Sequence, residues 1–220
     1  MNRLNQYSCF DIIENNHDFL IINKHAGINV HKTKLEKGLL DYILLETGLC
    51  VDLCHRLDKD TSGIMVLGKH HDATSQISQL FANKQIQKRY VAISSEPPKK
   101  KQGAIIGDIV PARNGNYKLA KTKDNPSKTL FKSVNLIAKH RAWLLTPITG
   151  KTHQLRVILK SLGSPILGDS RYSNTVAKRM YLHCFHLSFQ YNAIKYRFDF
   201  LPIDGEFSLL THAPELWFSP

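Results

Sequence analysis

The stretch H-R-L-D-K-D-T-S-G, residues 55–63, is the most informative part of this sequence because two acids, two hydroxyls and a glycine stand together there. An apolar run, residues 64–67, follows it directly and predicts a buried strand. A polar cluster at the start of a buried strand is typical of three features: a calcium loop, an aspartyl-phosphate site or a structural turn. Each of them requires particular residues elsewhere in the chain.

The calcium loop is excluded by the residue at its last ligand position. Asp58, Asp60, Ser62 and Gly63 match the first ligand positions and the glycine of such a loop. The last position must supply a bidentate carboxylate, but Lys69 stands there. A lysine would repel the ion that this position has to bind.

The other two interpretations stay open when the stretch is taken alone. A magnesium-dependent aspartyl-phosphate hydrolase needs a continuous buried strand before the acids and a further acid near a later Gly-Asp pair. Residues 53–57 are not such a strand, and the pair at residues 168–169 has no second acid beside it. This class is therefore the weaker alternative. In the structural interpretation, Asp58 and Asp60 accept local backbone hydrogen bonds and Gly63 takes an unusual dihedral.

A second motif, T-G-K-T-H-Q-L-R at residues 149–156, makes a purely structural role for residues 55–63 less favoured. It imitates the end of a phosphate-binding loop, but Leu145 stands where that loop requires a glycine, so this interpretation is excluded. The motif instead begins a helix predicted over residues 152–162. Arg156 lies on this largely apolar helix, and a buried guanidinium needs a carboxylate or phosphate partner. We expect Asp58 to be that partner; an arginine facing the surface is the alternative.

The rest of the chain predicts intermingled strands and helices. Strands are expected over residues 19–23, 64–67, 90–93 and 181–189, and helices over residues 39–46, 73–81 and 152–162. Gly48 and Gly163 should end the first and third helices, Asp72 should cap the second, and a loop should begin at Pro97. Because strands and helices do not alternate strictly, we expect an α+β fold rather than a doubly wound parallel sheet.

Length and composition are those of an ordinary globular protein. The chain has 220 residues, of which 42% are hydrophobic and 22% charged, and we expect one domain over residues 1–220. It has no apolar run long enough to span a membrane and no signal sequence, so we expect a cytoplasmic protein. The spacing of the four cysteines favours buried or free thiols over a disulfide or a metal site; they are Cys9, Cys50, Cys54 and Cys184.

Charge points to a polyanionic partner. The net charge is +12, and residues 99–141 hold eleven basic residues against two acids, so +9 of the total lies in that segment. Such a surplus attracts nucleic acid and gains affinity by releasing counterions, although a merely solvated face is the alternative. Lys99, Lys100 and Lys101 form the densest part of this segment.

Five motifs in the expected order give the chain a close resemblance to a known family. Besides residues 55–63 and 149–156 they are K-R-Y at residues 88–90, G-S-P-I-L-G-D-x-x-Y at residues 163–172 and L-H-C-F-H-L-S-F at residues 182–189. With these motifs the sequence resembles the RluA-type pseudouridine synthases from about residue 12 to about residue 200. The resemblance implies a single catalytic domain whose mixed, mainly antiparallel central sheet is flanked by helices.

The resemblance also implies the reaction, which is isomerisation of a uridine in structured RNA to pseudouridine without a cofactor or metal. Asp58 would be the catalytic carboxylate, either attacking C1′ or removing the 2′ proton in the glycal variant of the mechanism. Arg156 would pair with Asp58, and Tyr90 would hold the detached uracil. His55 and Arg56 would fill the space of the flipped base or hold its phosphate. A packed histidine and a surface arginine are the alternatives for these two.

Several positions depart from the family pattern. Lys151 stands where arginine is usual, His25 and Lys32 replace prolines, and Cys184 replaces a common alanine. Only about ten residues precede the matching region, so we expect the catalytic domain itself to select the RNA, with Lys151 and the lysines at 99–101 as contacts.

Ribosomal and transfer RNA both remain open as targets. We expect a monomer that binds neither DNA nor membrane. The functional alternatives are a catalytically silent RNA-binding or assembly protein and, less favoured, the aspartyl-phosphate hydrolase. The three site residues Asp58, Tyr90 and Arg156 favour the synthase.

Overall fold

The computed structural model describes residues 8–33, 35–137 and 139–214. In these ranges the strands are β1 (Phe10–Asn15), β2 (Phe19–Lys24), β3 (Asp52–Leu53), β4 (Ser62–Gly68), β5 (Gln87–Ser94), β6 (Gln102–Gly107), β7 (Ile109–Pro111), β8 (Tyr117–Leu119), β9 (Ser127–Asn135), β10 (Arg141–Pro147), β11 (Leu182–Tyr191) and β12 (Ile194–Asp199). The α-helices are α1 (Leu39–Thr47), α2 (His71–Ala82) and α3 (Gln154–Ser161), and 3₁₀ helices cover Arg113–Gly115 and Gly205–His212. All the strands and helices predicted from the sequence are present.

Two compact units divide the described chain, and β11 contributes to both. Unit 1 comprises the described residues up to 86 and residues 187–200; unit 2 comprises residues 87–186 and the described residues from 201. Strands of unit 1 follow the order β1-β2-β4-β11, with β3 paired to β4 and β12 to β11. Strands of unit 2 follow the order β11-β5-β10-β9-β6, and β7 pairs with β8 separately. Neighbours such as β2 and β4 or β5 and β10 run antiparallel. The fold is α+β with a mainly antiparallel sheet, as predicted; the single domain stays a prediction.

The core of unit 1 lies around two strands that are buried along their whole length. Every residue of β2 and of β4 is buried, which explains why both are continuous apolar runs rather than alternating ones. Phe19 is fully buried, and its ring meets those of Phe189, Tyr191 and Tyr196 edge to face. Ala73 and Ile77 of α2 complete this cluster, as their helical spacing predicts.

The core of unit 2 combines apolar packing with a buried polar network. Val91 and Ile93 of β5 pack in one cluster with Ala142 of β10. Trp143 is fully buried, and its indole Nε1 donates to Ser94 Oγ at 2.8 Å. Ser94 Oγ lies 2.7 Å from Ser164 Oγ, so these polar groups satisfy one another inside the core.

Helix α1 ends at the predicted glycine and buries one side. Gly48 takes the left-handed conformation with φ 71°, and its N–H donates to Leu44 O. Leu39 and Ile43 are buried, whereas Leu44 is 48% exposed. One packed side is enough for a helix of nine residues.

Helices α2 and α3 each begin differently from the prediction. His70, not Asp72, caps α2, because His70 Nδ1 accepts the N–H of Ala73 and Asp72 already lies in the first turn. Helix α3 begins at Gln154 rather than Thr152, because His153 is left-handed with φ 54° and stops the helix from extending backwards. Gly163 has φ 77° directly after α3, as predicted.

The cysteines are free thiols: Cys9, Cys54 and Cys184 are buried and Cys50 is exposed. No helix in the described part of the chain combines the length and apolar character needed to cross a membrane.

Candidate active site

Asp58 lies in a tight turn of unit 1 that leads into β4. The carboxylate-bearing residue is half-buried, and its carbonyl accepts the N–H of Thr61 at 3.1 Å. Thr61 and Ser62 are almost fully buried, and Gly63 has φ 123°, a conformation that favours glycine. The turn that carries Asp58 is therefore closed by the backbone of Thr61 and followed by a glycine with positive φ.

A buried lysine anchors this turn to the end of β2. Lys24 has no exposed surface, and its Nζ donates to the carbonyls of His25, Ile28 and Lys59 at 2.9, 3.1 and 3.0 Å. The N–H of Gly27 also donates to Lys59 O at 2.9 Å. The carbonyl of Lys59, the residue after Asp58, thus accepts two hydrogen bonds. Sequence analysis missed Lys24, and a lysine at the end of a buried apolar strand was the available signal.

His55 and Arg56 have different surroundings. His55 is half-buried, its Nε2 accepts the N–H of Val66 at 3.1 Å, and its ring stacks on Phe81 with centroids 4.2 Å apart. Arg56 is exposed. The histidine is packed within unit 1, and the predicted RNA contacts of both residues stay predictions.

Tyr90 lies on β5 of unit 2, beside a buried thiol. It is 8% exposed, and its side chain hydrogen-bonds that of Cys184 on β11. Burial raises the pKa of the Cys184 thiol to about 12, so the thiol is neutral at physiological pH. Lys88 lies two residues earlier on the same face of β5, and burial lowers the pKa of its ammonium group. The hydroxyl of Tyr90 is therefore held by Cys184, the cysteine that stands where the family commonly has alanine.

Arg156 of α3 forms a bidentate ion pair with Asp169, both in unit 2. Arg156 Nε donates to Asp169 Oδ2 at 2.8 Å and Nη2 donates to Oδ1 at 2.8 Å. Their side chains are 4% and 0% exposed. Arg156 is buried and bound to a carboxylate, as its place on an apolar helix requires, but sequence analysis missed Asp169. The expected pair with Asp58 would join residues of the two units and stays a prediction.

The segment before α3 is fixed by Gln154. Its Oε1 accepts the N–H of Lys151 at 2.9 Å and the hydroxyl of Thr149 at 2.8 Å, and its Nε2 donates to Thr129 Oγ1 at 2.9 Å. Lys151 is half-buried, and its Nζ donates to Asn125 Oδ1 at 2.8 Å. The lysine that departs from the family pattern thus contacts a neighbouring loop.

Lys99, Lys100 and Lys101 lie in the predicted loop and are exposed. The loop backbone is ordered, because Lys99 N donates to Leu162 O at 2.9 Å and Lys101 O accepts from Ser133 N at 2.8 Å. Three cations are consequently presented to solvent from a fixed backbone.

One group of three residues in the described chain has side chains close enough to hold a metal ion: His17, Asp18 and His70. Asp18 Oδ1 lies 2.7 Å from His17 Nδ1 and 3.1 Å from His70 Nε2. Because His70 Nδ1 accepts the N–H of Ala73, neutral His70 carries its proton on Nε2 and donates to Asp18. In this group, Asp18 is thus hydrogen-bonded to two histidines. The group includes neither Asp58 nor Asp60, the acids of the aspartyl-phosphate alternative.

Comparison with known proteins decides the family. A sequence model of the family described as RNA pseudouridylate synthase matches residues 18–161. The chain belongs to the RNA pseudouridylate synthase family. This synthase is accordingly an isomerase that acts on RNA, as the resemblance implied.

Individual relatives agree with this assignment. An uncharacterized RNA pseudouridine synthase of Haemophilus influenzae is 46% identical over 200 residues, which are 90% of this synthase and 89% of that protein. A ribosomal large subunit pseudouridine synthase C of Rickettsia bellii is 31% identical over 183 residues. These residues are 78% of this synthase and 61% of the Rickettsia protein. The solved structure titled human RNA pseudouridylate synthase domain containing 1 has a TM-score of 0.79, 23% identity and 99% coverage of both chains, which shows the fold.

Proposed function

We propose that this synthase converts a specific uridine of a structured RNA to pseudouridine, with Asp58 as the catalytic carboxylate. The observation that carries this proposal is the Asp58 turn. The carboxylate-bearing residue is half-buried at the start of β4, and buried Lys24 holds the adjacent carbonyl of Lys59 at 3.0 Å. A catalytic group needs a rigid support of this kind, because small displacements of a reacting group are costly in rate.

The reaction breaks one bond and forms another without adding or losing atoms overall. The N1–C1′ bond of the uridine is cleaved, the uracil rotates, and a C5–C1′ bond forms. The proton on C5 is then lost and N1 regains a proton. Asp58 either attacks C1′ as a nucleophile or removes the 2′ proton to give a glycal, and both routes remain open.

Arg156 and Tyr90 support this chemistry in the proposal. Asp169 fixes the plane of the Arg156 guanidinium by two hydrogen bonds, which suits it to pair with the carboxylate of Asp58 and favour its ionised form. Tyr90 would lie against the uracil and assist removal of the C5 proton, and its bond with Cys184 restricts its hydroxyl.

The RNA would be bound by cations outside this centre. His55 and Arg56 adjoin Asp58 in the chain and would fill the space of the extruded base or hold the phosphate of that nucleotide. Lys151 and the exposed lysines at 99–101 would contact phosphates. Of the two open RNA classes we propose ribosomal RNA of the large subunit, because the relative from Rickettsia bellii is named as a synthase for that subunit.

Mapping pseudouridines in total RNA from cells with and without this gene tests the target. We expect one or a few positions in large-subunit ribosomal RNA to lose the modification. A loss confined to transfer RNA would overturn the proposed RNA class but not the reaction.

The Asp58→Asn variant tests the catalytic carboxylate. We expect it to fold and bind RNA normally but to lose turnover by a factor on the order of 10⁴ to 10⁶. Asp60→Asn, in the same turn and also half-buried, is the matched control and should retain activity. Residual activity of Asp58→Asn above roughly a thousandth of wild type would refute the assignment.

A further inference from the structure

A small hairpin in unit 2 carries a cluster of exposed cations. We define the basic arm as residues 108–126, in which β7 and β8 pair antiparallel. Its four basic residues are all exposed: Arg113, Lys118, Lys121 and Lys123. Of its two acids, Asp108 is buried and accepts the N–H groups of Asp124 and Asn125 at 3.0 Å. The surface of the arm is therefore mainly positive.

The arm is fastened to the segment after α3 through Tyr172. The backbone N–H of Tyr117 in β8 donates to the Tyr172 hydroxyl at 2.9 Å. The Tyr117 ring also meets the ring of His153 edge to face, with centroids 5.4 Å apart. In addition, Arg171 Nη1 donates to Asn114 O at 3.3 Å. These three contacts hold the arm at two of its residues, Tyr117 and Asn114.

Tyr172 in turn contacts the surroundings of Arg156. The Tyr172 ring lies 5.1 Å from the Arg156 guanidinium carbon, and its hydroxyl lies 2.8 Å from His153 Nδ1. Its backbone N–H donates to Asp169 Oδ1, the oxygen that also accepts from Arg156 Nη2. Tyr172 is 6% exposed, and burial raises the pKa of its hydroxyl. The neutral hydroxyl thus accepts from the arm and offers its proton to His153.

We infer that the basic arm binds RNA phosphates and that Tyr172 couples this binding to the orientation of Arg156. The enzyme acts on RNA, so the polyanion available to these exposed cations is the substrate itself. Phosphates bound along the arm fix β8, and the Tyr117 peptide then holds the Tyr172 ring against the guanidinium. Tyr172 is a positioning residue, because it acts through Arg156. The coupling rests on the catalytic role proposed for Arg156.

The binding surface is tested by removing charge from the arm. The triple variant Lys118→Gln, Lys121→Gln, Lys123→Gln is compared with Lys37→Gln, Lys84→Gln, Lys195→Gln, three exposed lysines of unit 1. The ligand is an RNA oligonucleotide that contains the mapped uridine. The arm variant should bind at least about tenfold more weakly and flatten the slope of log affinity against log salt by ~0.7 to 0.9 for each phosphate that it no longer neutralises. The control triple variant should change the affinity and the salt slope much less. Equal changes in the two triple variants would show that the arm is not the RNA-binding surface.

The coupling is tested with Tyr172→Phe, which removes the hydroxyl and retains the ring. We expect the single-turnover rate at saturating RNA to fall about tenfold, a difference of about 1.4 kcal/mol, with little change in affinity. The arm triple should lower this rate in the wild-type background but not in the Tyr172→Phe background, because the same link is already broken. The coupling would be overturned if the arm triple lowered the rate by the same factor in both backgrounds. An unchanged rate for Tyr172→Phe would also overturn it. Active Asp58→Asn would instead overturn the proposed function and leave the binding result intact.

Discussion

Arg156 and Asp169 form a buried bidentate ion pair in unit 2, with both hydrogen bonds at 2.8 Å and side chains 4% and 0% exposed. Asp169 Oδ1 also accepts the backbone N–H groups of Arg171 and Tyr172. The pair therefore organises the turn after α3 as well as the guanidinium that we assign to the active site. Removing one partner of such a pair costs more than the pair contributes, because the other charge is left buried.

Asp169→Asn should lower the free energy of unfolding by about 3 to 5 kcal/mol, since the amide cannot neutralise Arg156. Urea unfolding measures the change, and Asp124→Asn, an exposed acid of the same unit, should change stability by less than about 0.5 kcal/mol. A decrease below about 1 kcal/mol for Asp169→Asn would mean that the pair is not the anchor of Arg156.

Lys24→Met should destabilise the protein by about 2 to 3 kcal/mol, because the carbonyls of His25, Ile28 and Lys59 lose the hydrogen bonds that the buried ammonium group donates. Hydrogen exchange should also become faster at the N–H groups of Gly27 and Thr61, which close the turn around Asp58. Lys59→Gln is the control, since the side chain of Lys59 is exposed and only its carbonyl meets Lys24. Unchanged exchange in Lys24→Met would contradict the anchoring role.

Replacing Lys99, Lys100 and Lys101 with Gln should weaken RNA binding and flatten its salt dependence by up to ~0.7 to 0.9 for each phosphate left without a cation. Affinity should fall more than the rate at saturating RNA, because these side chains extend from an ordered loop with no reacting group on it. Binding titrations at several salt concentrations measure the slope. A salt slope equal to that of wild type would show that the three lysines are only solvated.

Excess EDTA should leave the purified enzyme active on RNA that has been refolded with a metal-independent stabiliser. The reaction proposed for Asp58 needs no Lewis acid, and the cluster of His17, Asp18 and His70 is held by hydrogen bonds within unit 1. The measurement is pseudouridine formed per enzyme with and without chelator. Activity restored only by Mg²⁺ in proportion to protein would favour the aspartyl-phosphate alternative.

Asp18 should contribute stability that depends on pH. Hydrogen bonds from His17 and then His70 hold the pKa of Asp18 below its ordinary value. A depressed carboxyl pKa stabilises the fold above the unfolded value of about 3.9, and the contribution is lost as pH falls through the folded value. Asp18→Asn should therefore be less stable than wild type at pH 6, and the two proteins should converge as the pH falls below the folded pKa of Asp18. A difference independent of pH would point to a purely geometric cause.

Several features of the fold follow from local chemistry and were predictable from the sequence. The buried strands around residues 19–23 and 64–67 are continuous apolar runs, and Gly48 and Gly163 end helices because they tolerate positive φ. The motif containing Asp58 forms its own turn, since the Thr61 N–H that closes it and the glycine with positive φ both lie within five residues of the acid. These signals depend on near neighbours, so they can be read along the chain.

Tertiary structure decided the partners that are distant in sequence. A buried charge on α3 shows that Arg156 needs a carboxylate, but only the packing of the turn after α3 selects Asp169. Lys24 anchors the Asp58 turn because the end of β2 meets the start of β4. Tyr172 reaches both β8 and Arg156 for the same reason. The sequence determines which side chains need a partner, whereas the choice among several possible partners depends on which faces of the strands and helices come together.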